Sequence, residues 1–181
     1  MEFDLIADFA LEVEDEQTYH RICHYCESEN VDVYFAPGYL ILDSGKPEDV
    51  EFSDRQVACK SCLKGGRVMH VGEFQSDPMI EALCTNPVQE KRLLRSTPRI
   101  PHLMDSTDWP ICCGRLTQYV GRPKTRSELL RITDSCIHWD NGKVSDYKRD
   151  FRHQGNPESF SEISRFSCRE CEKCYWIDSP S

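Results

Sequence analysis

Three Cys-x-x-Cys turns are the segments of this chain best suited to chemistry, and metal binding is the chemistry that they indicate. They pair Cys23 with Cys26, Cys59 with Cys62, and Cys168 with Cys171. A gap of two residues lets both sulfurs of a turn point at one atom, so two turns supply the four corners of a tetrahedron. Thiolate sulfur in this geometry favours Zn(II).

The first two turns, with 32 residues between them, make a complete set of four ligands. This set is Cys23, Cys26, Cys59 and Cys62. Because four thiolates leave no coordination position open, the pattern predicts a structural zinc site and not a catalytic one.

The third turn needs two more ligands. Neighbouring side chains diverge in most backbone conformations, so the adjacent pair Cys112 and Cys113 is not expected to bind one ion easily. The spacing favours Cys113 with Cys168 and Cys171, and either Cys112 or Cys174 as the fourth ligand. Alternatively, the third turn completes a site shared with an earlier one. Our candidate second set is Cys112, Cys113, Cys168 and Cys171, which predicts one or two Zn(II) ions per chain.

The other cysteines have no ligand partner nearby in the sequence. Cys84 and Cys136 lie on helix-like stretches, where a cysteine usually acts as a small buried hydrophobe. An alternative makes Cys113 a nucleophile beside His102 or His138, but such a pairing is spatial and the sequence favours the ligand role. We therefore expect a protein that is not an enzyme.

Local signals predict the elements that carry these cysteines. Residues 31–42 are rich in β-branched and aromatic side chains around Pro37 and Gly38, which predicts a hairpin after the first turn. Helix starts are expected at 76–78 and 86–87, and Thr125 with Glu128 fits a capping box. Strands are predicted within 116–120 and 163–166.

The amino terminus predicts an acidic arm over residues 1–20. Its first 16 residues hold seven acids and no Lys or Arg. Leu5, Phe9 and Val13 recur every four residues, which favours a short helix, although a strand is an alternative. The acids of this arm form either a solvated face of a docked helix or a surface that binds a basic partner, and charge runs are usually solvated faces. The candidate partner-binding acids are Glu12, Glu14, Asp15 and Glu16.

Residues 91–131 have the opposite charge, with nine bases against three acids. Such a stretch can contact phosphate, which makes a nucleic-acid-binding zinc module the alternative function. Only Trp109 and Tyr119 offer aromatic rings there, so a stacking surface for single strands is weak. Nucleic acid is therefore not the expected partner.

The length and composition of the chain argue against several classes of protein. The chain has 181 residues, 39% of them hydrophobic and 29% charged, which predicts a folded domain. No apolar run approaches the roughly 20 residues needed to cross a bilayer, and the amino terminus lacks signal-peptide features. We expect a cytoplasmic protein without membrane contact, whose 11 cysteines are not paired as disulfides.

Several stretches together resemble the CbrC family, bacterial proteins linked to colicin tolerance. The matching stretches are Cys23-x-x-Cys26 with Tyr34 and Pro37, Cys59-x-x-Cys62 with Gly65, Arg95 to Pro98, Trp109 to Gly114, Tyr119 to Gly121, and Phe166 to Cys171. Their order holds from about residue 22 to the end, which places the CbrC-like domain at 21–181. The chain departs from the family where Cys112 replaces a histidine, a change that keeps a metal ligand, and Cys174 has no counterpart.

The resemblance implies a zinc-binding bacterial protein that protects against toxins. We therefore predict an α+β fold with a zinc-ribbon-like four-cysteine module and hairpin, short helices, and a C-terminal zinc knuckle packed on a small sheet. The predicted function is an immunity or tolerance protein that binds and neutralises a protein toxin. An acidic arm suits that function, since many toxins that act on nucleic acid carry basic surfaces.

Overall fold

The computed structural model describes residues 3–10, 20–37, 39–41, 56–70, 74, 76–100, 109–140, 142–146, 151–152 and 160–178. Within them the fold is α+β, with short helices, one five-stranded sheet and three small two-stranded sheets, as the sequence predicts. The two groups of four cysteines are compatible with zinc-ribbon-like modules.

The five-stranded sheet forms the C-terminal half of the fold, in the order β7-β10-β11-β8-β9. Its strands are β7 (Gln118–Tyr119), β8 (Ile137–Asp140), β9 (Lys143–Val144), β10 (Ile163–Ser167) and β11 (Cys174–Asp178). β10 and β11 pair antiparallel over five residues each, and β11 pairs parallel with β8. The third Cys-x-x-Cys turn lies in the connection between β10 and β11.

The small sheets surround the other cysteines. Their strands are β1 (Val33–Phe35), β2 (Tyr39–Ile41), β3 (Val57–Cys59), β4 (Val68–His70), β5 (Ile111–Cys112) and β6 (Arg115–Leu116). The strands predicted on either side of Pro37 are present, but the expected hairpin between them is wrong. β1 pairs with β3 and β2 with β4, both antiparallel. Pairing with distant strands ties the first Cys-x-x-Cys turn to the second.

The described residues form four α-helices around these sheets: α1 (Lys60–Lys64), α2 (Asp77–Leu83), α3 (Pro87–Arg95) and α4 (Arg126–Ser135). The predicted helix starts are confirmed. Asn86 accepts a hydrogen bond from the backbone of Gln89, and Thr125 accepts one from Glu128. These side chains satisfy N–H groups that a helix amino terminus leaves free, so the caps fix where α3 and α4 begin.

The amino terminus belongs to the core. Phe3, Leu5 and Ile6 are each at most 4% exposed, and they pack in the main hydrophobic cluster. The predicted helix is wrong for residues 3–10, where only Asp8–Ala10 forms a short 3-10 turn. The backbone of Tyr119 instead donates to Leu5 and accepts from Ala7. Backbone pairing with a strand edge therefore overrides the helical spacing.

None of the helices in the described ranges is both long enough and apolar enough to span a membrane.

Candidate metal centres

The first centre joins two knuckles that the small sheets bring together. Cys23 and Cys26 lie in a tight turn that is closed by a hydrogen bond from Glu27 N–H to the Cys23 carbonyl. Cys59 ends β3 and directly precedes α1, which carries Cys62. The Cα atom of Cys59 is paired with that of Val33 in the β1–β3 register. Strand pairing thus sets the distance between the knuckles.

The sulfur positions fit a tetrahedral ion. All four Sγ atoms lie within 4.8 Å of one another. Cys23 and Cys62 are 3.9 Å apart, and Cys26 and Cys59 are 3.8 Å apart. Metal–sulfur bonds of about 2.3 Å in a tetrahedron place sulfurs about 3.8 Å apart, whereas a disulfide needs about 2.05 Å. This group therefore could hold a metal ion and is not a pair of disulfides.

Hydrogen bonds supply the outer layer of this centre. The backbone N–H of Cys59 donates to Cys23 Sγ at 3.2 Å, and Ser28 Oγ lies 3.2 Å from Cys26 Sγ. Burial acts to raise the pKa of Cys26, but the hydrogen bonds with Ser28 outweigh it and lower the pKa to about 6. Burial, and then the neighbouring sulfurs, raise the pKa of Cys62. One thiolate is thus formed readily, and a bound cation would displace the remaining protons.

The second centre depends on a left-handed turn. Cys112 ends β5 and Cys113 follows it with φ 52°, before Gly114 with φ 71°. That conformation turns two adjacent side chains towards one point, so their sulfurs lie 3.8 Å apart. The expectation that neighbouring cysteines diverge is therefore wrong here, because it assumes extended or right-handed backbone.

The knuckle between β10 and β11 completes this second set. Cys171 Sγ is 3.7 Å from Cys112 and 3.8 Å from Cys113. All four Sγ atoms, including that of Cys168, lie within 4.8 Å of one another. The structure thus groups Cys112, Cys113, Cys168 and Cys171, the candidate set, and separates them from the first centre. This centre is more open, since Cys113 is exposed whereas Cys23 is fully buried.

Backbone donors act on one sulfur of the second set. Burial acts to raise the pKa of Cys168, but backbone N–H groups of Glu170 and Cys171 lower it to about 7. Hydrogen bonds with Cys171 and Cys112 raise the pKa of Cys113 to about 12, and burial raises that of Cys112. A reactive, low-pKa thiolate at either residue, which the nucleophile alternative needs, therefore has no support from these shifts.

A buried carboxylate holds the two arms of the second centre together. Glu90, on α3, is 2% exposed. Its oxygens accept hydrogen bonds from Arg115 Nε at 3.1 Å, from the backbone N–H of Leu116 at 3.1 Å and from Arg169 Nη2 at 2.6 Å. Arg115 follows the Cys112–Cys113 arm, and Arg169 lies inside the Cys168–Cys171 knuckle. Sequence patterns miss this contact because Glu90 reads as an ordinary acid in the first turn of a helix.

Two cysteines form a disulfide, which the sequence interpretation did not predict. Cys136 is bonded to Cys174, with Cα atoms 4.8 Å apart. Cys136 directly follows α4 and Cys174 begins β11, so the bond joins the end of the helix to this strand. Cys174 is therefore not a ligand of the second set, and Cys136 is more than a buried hydrophobe. Eight cysteines lie in the two clusters and two form the disulfide. The eleventh, Cys84, is free and only 9% exposed.

The other predicted site residues lie apart from the two cysteine clusters or outside the described residues. The acids Glu12, Glu14, Asp15 and Glu16 lie outside the described residues, as does His102. His138 is buried and stacks on Trp176 with ring centres 4.2 Å apart, which is a packing role. The basic stretch is not one surface. Lys91 forms an ion pair with Glu81, and Arg95 forms one with Asp77. Arg115 pairs with both Glu90 and Glu170.

Comparisons of the chain with protein-family models, with curated proteins and with solved structures gave no match. The resemblance to the CbrC family therefore stays a prediction.

Gly114→Ala tests the left-handed turn without removing a sulfur. A Cβ there would lie 2.2 Å from Thr85 Oγ1, and φ 71° disfavours alanine. We expect a loss of about 1–2 kcal/mol from the conformation alone and weaker metal retention at the second centre only. The measurement is metal content after challenge with a chelator. Gly142→Ala is the matched control, because Gly142 has φ 77° but lies beside Met79. Equal metal loss in both variants would contradict the turn's specific role.

Glu90→Gln tests the buried carboxylate. We expect the free energy of unfolding to fall by about 3 kcal/mol, the low end for a broken buried pair, because Arg115 is partly exposed. The second centre should also lose metal sooner than the first, since its arms separate. Denaturant unfolding and chelator kinetics measure the two effects. Glu81→Gln, which breaks the more exposed pair with Lys91, should leave both nearly unchanged.

Proposed function

We propose that each four-cysteine centre binds one Zn(II) ion, and that both ions are structural. The sulfur–sulfur distances of 3.7–3.9 Å support this assignment. Four thiolates fill the coordination sphere of zinc and leave no position for a substrate or a reactive water. On this proposal Cys23, Cys26, Cys59 and Cys62 hold one ion, while Cys112, Cys113, Cys168 and Cys171 hold the other. The ions join strands that are too short to be stable as separate sheets.

The proposed biological role is that of a zinc-stabilised immunity protein that binds and neutralises a bacterial protein toxin. The observation that carries it is the charge pattern, because seven of the acids behind the net charge of -9 lie in residues 1–16. An acidic surface associates quickly with a basic partner through electrostatic steering. Closed metal centres fit this role, since they stabilise a binding surface without supplying chemistry.

The second support for this role is the resemblance of the cysteine-containing stretches to the CbrC family. The resemblance names a class of function, protection against toxins, and gives no mechanism. Blocking by binding is the mechanism that the acidic arm favours, with Glu12, Glu14, Asp15 and Glu16 as the contacts.

Metal analysis of the purified chain tests the zinc proposal. We expect two zinc ions per chain, one in Cys59→Ser and one in Cys168→Ser, because each variant loses a ligand of a different set. Cobalt substitution should give the absorption of a tetrahedral tetrathiolate at both sites. Structural zinc contributes about 10–16 kcal/mol in zinc-finger peptides, against about 5–15 kcal/mol of net domain stability, so each variant should also lose local structure. Iron in place of zinc, or a single ion per chain, would contradict the assignment.

Binding to the product of a neighbouring toxin gene tests the immunity proposal. Changing Glu12, Glu14, Asp15 and Glu16 to their amides should slow association about tenfold or more at low salt, because steering depends on these charges. The readout is the association rate by surface-based kinetics, with cell survival as a second measure. A matched control changes four exposed acids elsewhere: Glu29, Glu81, Asp146 and Glu172. Equal slowing in both variants would show that only net charge matters, and no binding or protection would refute the proposal.

A further inference from the structure

A basic cavity whose described lining contains no cysteine lies between the end of β7, the strand β10 and the start of α4. Its volume is about 390 Å³, and its lining includes Arg122, Lys124, Arg131 and Arg165, with Glu128 as the one acid among the described lining residues. We propose that this cavity binds a small anion that carries two or more linked phosphate groups. The proposal does not depend on toxin binding or on zinc.

The backbone builds the cavity from the edge of the sheet. Arg165 N–H donates to the Gly121 carbonyl at 2.9 Å, and Val120 N–H donates to the Arg165 carbonyl at 2.9 Å. Gly121 then takes φ 95°, a left-handed conformation that suits glycine and turns the chain from β7 towards α4. This turn sets Arg122 and Arg165 on neighbouring segments of one wall.

The start of α4 supplies the opposite wall. Thr125 caps the helix, and Glu128 accepts the backbone N–H of Lys124 at 2.7 Å. Glu128 and Arg131 are three residues apart, so both lie on the helix face that lines the cavity. Glu128 carries the one negative charge among the described lining residues, so cations are in excess there.

Three of the four cations have no acidic partner in the part of the chain that the structure describes. Lys124, Arg131 and Arg165 form no ion pair there, unlike Lys91, Arg95 and Arg115. The Nε of Arg165 is also buried, without a hydrogen-bond acceptor among the described residues. Arg165 lines the cavity together with Lys124 and Arg131, so three cations without an ion pair among the described residues surround one space, and a polyanion bound there would supply the missing counter-charge.

Phosphate oxygens match this set of donors. Guanidinium groups bind phosphate in a planar, two-point geometry, and an ammonium group adds a point charge. The ten-residue helix α4 adds the partial positive charge of its amino terminus. The three cations without an ion pair exceed what a single phosphate needs, and 390 Å³ lies in the range of small-molecule pockets. The described lining residues include no aromatic ring for stacking a base, so recognition by them falls on the linked phosphates and not on a nucleobase.

Isothermal titration of the full-length, metal-loaded protein with pyrophosphate, ATP and orthophosphate tests the proposal. We expect pyrophosphate and ATP to bind more tightly than orthophosphate, with affinities that fall as salt rises. The variant K124Q/R131Q should weaken both by about 10- to 100-fold, the expected loss for charged hydrogen bonds. If ATP binds and pyrophosphate does not, recognition requires the nucleoside and the proposal fails. If both bind alike, the linked phosphates are the recognised group.

The variant R126Q/K143Q is the matched control, because it removes two positive charges from exposed residues that do not line the cavity. Its affinity for pyrophosphate should stay within about twofold of the original. Since Lys124 and Arg131 are exposed, both double variants should keep the original melting temperature, and R165Q provides a second test from the opposite wall. Equal weakening in both double variants, no binding of any phosphate, or binding of a single-stranded oligonucleotide without binding of pyrophosphate would each overturn the proposal.

Discussion

The convergence of sulfur atoms from distant parts of the chain is the constraint on which the rest of the structure depends. Cys26 and Cys59 are 33 residues apart in sequence, and Cys112 and Cys171 are 59 apart, yet the Sγ atoms of each pair lie less than 4 Å from one another. Around these points the sheets are only two strands wide, with two or three residues per strand, apart from the five-stranded sheet. Strands of that size are marginal alone. The cysteine clusters therefore fix the paths of the segments that such short strands could not hold.

The two clusters are supported in different ways. The first lies in apolar surroundings, since Cys23 is fully buried and belongs to the same hydrophobic cluster as Val33 and Leu63. The second is partly exposed, and a charged contact secures it, because Glu90 bridges Arg115 and Arg169 from its two arms. Burying a carboxylate is unfavourable unless cations and hydrogen bonds satisfy it. The structure of the second cluster thus depends on electrostatics to a degree that the first does not.

Sequence patterns predict what is local in this protein and miss what is tertiary. The first cysteine set follows from spacing alone, and the start of α4 follows from Thr125 and its capping hydrogen bond. The joint use of Cys112 and Cys113 does not follow, because it needs φ 52°, which residue type does not reveal. The bond between Cys136 and Cys174 needs the end of α4 to meet the start of β11. The pairing of Leu5 and Ala7 with Tyr119 likewise depends on a strand edge that only the folded chain provides.

Charge in this protein has to be interpreted by location and not by total. A net charge of -9 conceals a basic stretch over 91–131, and the fold divides that stretch in two. In its first part, two bases of α3 pair with acids of α2, Lys91 with Glu81 and Arg95 with Asp77. Its last part lies with Arg165 around one cavity, whose described lining residues include four bases and one acid. Since Arg165 lies outside the basic stretch in sequence, only the pairing of β10 with β7 creates this concentration of positive charge.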